Sequence, residues 1–121
     1  MTDFVELARR GDLGELARLS DPLAYRWLQV ARDYGHVAAD ELIDGLLEGP
    51  LRDHGDVVGA EHFALGVAYL LGRELPVSYE NGEMHLEAAR DLGVAGEALA
   101  AARAGLSPGA VGVFDRVFGS A

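Results

Sequence analysis

Apolar residues recur along this chain with the three-to-four spacing of helix faces, and no run of alternating β-branched residues competes with that pattern. Leu23, Ala24, Trp27, Leu28, Ala31 and Tyr34 share one face of a segment that opens on Asp21 and Pro22, an N-cap followed by a first-turn proline, and that Gly35 is placed to end. Ala39, Leu42, Ile43, Leu46 and Leu47 form a second stripe within residues 36–48, stopped by Gly49 and Pro50. Residues 52–56 read as a loop, after which Asp56 is the predicted cap of the most apolar helix, residues 57–71, closed by Gly72. Ser78 caps a helix reaching Leu92 and ended by Gly93; residues 94–104 form another, ended by Gly105. Ser107 and Pro108 open a last short helix that carries Val111, Val113, Phe114, Val117 and Phe118. At the other end Thr2 caps a short helix to Arg10, and Asp12 to Glu15 has the spacing of a capping box for a second one ending near Leu19. The spacing predicts an all-α fold of about six to eight helices.

Part of this pattern repeats. The stretch PLAYRWLQVARDYGHVAADEL from Pro22 aligns with ENGEMHLEAARDLGVAGEALA from Glu80 at an offset of 58 residues, which sets Leu28 on Leu86, Ala31 on Ala89 and Gly35 on Gly93. Helix pairs that cannot bury their faces alone stack on their neighbours, so a fixed offset with glycine terminators predicts a solenoid. Within it, LGVAYLLGRELPVSYENGEMHLEAARDLG, from Leu65 to Gly93, resembles the Sel1-like repeat, a relative of the tetratricopeptide repeat. Leu65, Gly66, Tyr69, Gly72, Pro76, Ala88, Ala89 and Gly93 sit at the positions of that pattern, and Ala24, Trp27, Ala31, Gly35 and Ala39 match the second-helix half of a preceding repeat. Glu74 stands where the pattern has a second glycine, Ser78 where it has aspartate, Gly82 where it has alanine and His85 where it has tryptophan. The resemblance implies a short helical-hairpin solenoid, a degenerate Sel1/TPR-like α-α superhelix forming one domain over residues 1–121. Its parts are a degenerate repeat over 1–58, the best repeat over 59–93, and a C-terminal helix and cap over 94–121. It also implies a non-catalytic module that binds a peptide or a partner protein in a helical groove.

Physical chemistry supports the glycine pattern independently. Gly66 in mid-helix costs up to about 1 kcal/mol relative to alanine, a penalty worth keeping where a neighbouring helix must come close. Gly72 and Gly93 end helices by adopting positive φ, which makes them terminators and not phosphate ligands.

The net charge of −10 on 121 residues opposes phosphate backbones and anionic lipid, so no nucleic-acid partner and no membrane partner is expected. A protein or peptide partner of basic character fits that charge. It also fits an alternative reading, an acidic inhibitor or immunity protein that neutralises a basic toxin or enzyme. All ten basic residues are arginine, a bias of a GC-rich, bacterial genome that weakens any functional reading of them. The absence of cysteine excludes disulfides and thiolate metal sites. The first residues lack the basic and apolar regions of a signal peptide, and the longest apolar run, residues 63–71, is far below the roughly 18–20 residues a membrane span needs. A cytoplasmic protein, monomeric or homodimeric, is the expectation.

Candidate chemistry is sparse. His54, Glu61 and His62 are the nearest set to a metal site, but no compact spacing such as His-Glu-x-x-His joins them, which leaves a metal-dependent enzyme as the weaker reading. Glu83 and Glu87 flank His85 one turn apart, the pattern of a solvated helix surface as much as of an acid/base cluster. There is neither a nucleophile elbow nor a phosphate-binding loop, so no enzyme, no cofactor and no catalytic, cofactor-binding or metal residue is assigned. Trp27 lies within an apolar stripe and belongs to the core. Tyr25 and Arg26 lie off that stripe and, with Glu61, His62, Arg73 and His85, are the expected partner-binding residues. Val113, Phe114, Val117 and Phe118 are expected to fold back on residues 94–104 as a cap, the alternative being an isologous dimer contact.

Overall fold

Eight helices and no strand occur among residues 3–119, the part of the chain described by the computed structural model, in agreement with the helical periodicity. They are α1 (Phe4–Arg10), α2 (Leu13–Leu16), α3 (Asp21–Asp33), α4 (Ala39–Glu48), α5 (Gly55–Leu71), α6 (Tyr79–Leu92), α7 (Gly96–Ala104) and α8 (Pro108–Phe118). The chain forms two compact units, Met1–Glu61 and His62–Ala121, so the boundary falls inside α5.

In the first unit α3 is the central element, because α1, α2 and α4 all pack on it. Its predicted stripe is buried at Ala24, Trp27, Leu28 and Ala31, with Trp27 5% exposed and its ring 5.7 Å from that of Phe4. Leu23 and Tyr34 sit at the margins of the stripe and stay exposed. Tyr25, Gln29 and Val30 are buried as well, since a helix with three neighbours covers more than one face. Ala39 and Ile43 are the buried residues of α4, and an Arg32–Asp40 ion pair of 2.6 Å joins α4 to α3.

The helix ends correct several details. The expected cap Thr2 lies outside the described residues, and Asp3 caps α1, its carboxylate accepting from the Glu6 N–H at 3.3 Å. Asp12 makes no side-chain cap; its carboxylate accepts instead from Arg10 at 2.8 Å, and α2 is a single turn ending at Leu16. Ser20, not Asp21, occupies the N-cap of α3. Residues 36–38 are a turn before α4, and α5 starts at Gly55, which places Asp56 inside its first turn. Ser78 and Ser107 cap α6 and α8 as predicted, accepting from the N–H groups of Asn81 and Ala110. Gly35, Gly72 and Gly93 all have positive φ, the terminating role read from the sequence; Glu74, at φ 67°, is the one non-glycine residue of positive φ among the described residues.

The second unit is organised by a close crossing of α5 and α6. A Cβ on Gly66 would lie 2.5 Å from Cγ of Leu86 and 3.0 Å from the carbonyl oxygen of Gly82, and one on Gly82 would lie 2.8 Å from Leu70. The packing role inferred for Gly66 is therefore realised, with Gly82 opposite it. Leu70 and Leu86 join Ala110, Val113, Phe114 and Val117 in one buried cluster, with Phe63, Val67, Leu99, Ala102, Leu106 and Phe118 packed against it. The helix α8 is thus part of the core, and it also meets α7 as expected: α7 buries no residue fully, but its Leu99 and Ala102 pack against the same cluster. Val113, Phe114 and Val117 are buried within the chain itself, and Phe118 is half-buried.

Candidate functional site

Of the six residues expected to meet a partner, four are buried. Tyr25 is 2% exposed, Glu61 7%, His62 7% and His85 1%. Each is a correction with the same cause: residues off an apolar stripe still become internal when their helix has neighbours on several sides and their polar atoms find partners. Arg73 is exposed. Arg26 is half-buried and turns onto Glu61 within the first unit, its Nε donating at 3.0 Å and its Nη2 at 2.8 and 3.1 Å. A forked arginine–carboxylate pair of this geometry satisfies both charges and holds α3 on the start of α5.

In the second unit His62 of α5 and His85 of α6 face each other, Nδ1 to Nδ1, at 3.0 Å. One nitrogen must donate and the other accept, so at their facing atoms the two rings differ in protonation. The ring of Tyr69 lies parallel to that of His85, with centroids 5.8 Å apart. Such an arrangement staples α5 to α6 through the core. It offers a substrate no access, because both rings are buried, and among the described residues no His, Cys, Asp or Glu group of three or more is placed to hold a metal ion. Glu83 is engaged elsewhere, accepting from Arg116 at 2.9 Å, and Glu87 is exposed, so neither forms an acid/base cluster with His85.

Burial holds the Tyr25 phenol above its ordinary range, with the Gln29 hydrogen bond and the positive charge of Arg32 opposing the shift. The neutral form is therefore the one the fold accepts. A raised folded-state value contributes stability that is intact below the ordinary tyrosine range and lost above it, so the denaturation midpoint is expected to fall as pH rises past about 10. Ultraviolet phenolate titration of the wild type against Tyr25→Phe should assign a late-ionising phenol to Tyr25. A variant with the same alkaline fall in stability would place the cause elsewhere.

A cleft of about 380 Å³ opens between α7 and α8, lined by Gly96, Leu99, Ala100, Arg103, Phe114, Phe118 and Gly119. On α7 the lining residues have the spacing of one helix face, i, i+3, i+4 and i+7, and two of these four positions are glycine or alanine. The Phe114 and Phe118 rings, 4.9 Å apart, form the opposite wall. At one edge Arg103 is fixed by Asp115, donating from Nε and Nη2 at 2.9 Å each, and that arginine in turn holds the Asp115 carboxyl below its usual range. The sequence reading misses this cleft, since what makes it is small residues on one face of a helix, a pattern that periodicity of large apolar residues does not register. No family model matches the chain, and no curated protein and no solved structure is detectably similar to it.

Proposed function

We propose that this protein is a non-catalytic helical module that binds a basic protein or peptide in the cytoplasm of a bacterial cell. The distribution of charge carries the reading. Arg9, Arg10, Arg18, Arg26, Arg32, Arg90, Arg103 and Arg116 each lie within ion-pair distance of an acid of the same chain. Acids outnumber basic residues 20 to 10, so internal pairing neutralises most of the positive side and leaves the surplus carboxylates to set the surface field. On α4 the outward residues Glu41, Asp44 and Glu48 are all exposed, and none is within ion-pair distance of an arginine among the described residues. A field of one sign raises the rate of encounter with an oppositely charged partner and disfavours like-charged ones. The same feature favours the narrower variant of this reading, in which the partner is a basic toxin or enzyme that the module masks.

A Sel1-like helical-hairpin solenoid is the architecture we infer for it. Support comes from the close approach at Gly66 and from the backbone at Glu74, whose φ of 67° meets, without glycine, the conformation that the repeat pattern assigns to glycine. The test is capture from extract of the native host by the wild type and by a variant carrying Glu41→Lys, Asp44→Lys and Glu48→Lys. The expected result is a specific basic protein retained by the wild type, released as ionic strength rises, and lost or strongly reduced with the variant. Equal recovery by both, or no specific protein at all, would overturn the reading.

A further inference from the structure

We propose that the cleft between α7 and α8 receives one large apolar side chain from a partner segment that carries a basic residue beside it; this rests on the protein-binding reading above. Packing on the cleft face of α7 is incomplete. No residue of α7 is fully buried, Leu99 and Ala102 are only partly covered, and a Cβ added at Gly96 or Gly119 would meet nothing within 4 Å. Space of this kind between Leu99 and the paired rings of Phe114 and Phe118 suits an aromatic or long aliphatic group, which gains both area burial and ring-edge contacts.

The shape of the cleft selects an anchor side chain over a free small molecule. Gly96, Ala100, Arg103 and Gly119 are all exposed, so the mouth is open along one side. A free apolar molecule would keep that side in water, whereas deep pockets bury most of a small ligand's surface. An anchor projecting from a larger body is covered by that body, as at the centre of a protein interface.

Charge and hydrogen bonding select the rest of the segment. The Arg103 charge is already matched by Asp115, which leaves no unpaired cation for an anionic ligand, but Nη1 of that guanidinium is not used by Asp115 and can donate to a backbone carbonyl beside the anchor. Glu97, exposed and adjacent in sequence to the cleft-lining Gly96, makes no ion pair among the described residues and is available to a basic neighbour of the anchor. A second copy of this chain is the wrong occupant, because it would bring one net charge of −10 against another.

The experiment selects phage-displayed random dodecapeptides on the full chain and compares the enriched peptides on the wild type, Ala100→Phe and Gly96→Leu, each checked for unchanged helicity by circular dichroism. Enrichment of peptides with one aromatic or long aliphatic residue beside Lys or Arg is expected. Binding should shift the NMR signals of Leu99, Arg103, Phe114 and Phe118 and weaken at least about tenfold, about 1.4 kcal/mol, on whichever filled-cleft variant keeps its helicity. Peptides that bind wild type and variants alike would overturn the cleft assignment and leave the protein-binding reading in place. Failure to enrich any peptide, together with failure of host capture, would overturn both, and free indole binding as tightly as the peptides would overturn the anchor.

Discussion

Phe114→Ala is expected to lower the stability of the second unit by about 3–5 kcal/mol, the cost of emptying an aromatic side chain from a core that cannot collapse around the space. Phe114 is 2% exposed, meets Phe63 edge-on with centroids 6.3 Å apart and lies 4.9 Å from Phe118. Leu70, Leu86, Val113 and Val117 of the same cluster are buried too, so on the core side the space would be left among packed side chains. Domains of this size are stable by about 5–15 kcal/mol in total, and the loss is a large share of that. The measurement is hydrogen exchange across α6 and α8 alongside chemical denaturation. Protection there should drop by orders of magnitude, whereas Phe118→Ala, at the half-buried rim of the cleft, should cost clearly less. Loss of less than about 1 kcal/mol from Phe114→Ala would show that the α5–α6–α8 cluster is not the stabilising core.

The second large effect is at the α5–α6 crossing. Gly66→Val gains helix propensity over glycine of at most about 1 kcal/mol, but it drives a branched carbon to within 2.5 Å of Leu86 Cγ and toward the Gly82 carbonyl. Leu86 is 0% exposed and has nowhere to retreat. Overpacking at such a site costs about 1–3 kcal/mol and more where backbone has to part, so a net loss near the upper end is expected. Gly45→Ala on α4 is the matched comparison, because a Cβ there meets nothing within 4 Å and the helix gains the propensity term undiminished. Chemical denaturation should therefore separate the two in sign: Gly45→Ala more stable by up to about 1 kcal/mol, Gly66→Val less stable. If both variants were stabilised, the helices would not be in contact at Gly66.

What can be read from the chain before its structure is what local chemistry decides. The helices are announced by periodicity, their ends by Gly35, Gly72 and Gly93, and the caps of α6 and α8 by Ser78 and Ser107, each through interactions within a few residues. Gly66 is legible because its penalty in a helix demands a compensating contact. Burial of His62 and His85 is not legible, since it depends on two imidazoles 23 residues apart meeting at 3.0 Å. Tyr25 is misread because an apolar stripe describes a helix with one neighbour, and α3 has three. Asp12 and Asp56 have the sequence of caps without acting as such, Asp12 because the nearby Arg10 holds its carboxylate. The cleft escapes for the opposite reason, being a feature of side chains that are not there.

Placing α8 inside the core has a consequence for the order in which the protein is made. Four of the six residues of the second unit's buried cluster, Ala110, Val113, Phe114 and Val117, are contributed by that last helix. A nascent chain that has emerged only as far as Ser107 presents Leu70 and Leu86 without most of their partners. The second unit is accordingly completed after translation of α8, and until then its apolar surface is exposed to whatever chaperones attend the ribosome. The α1–α3 and α3–α4 packing of the first unit, built from earlier segments, is available well before that point.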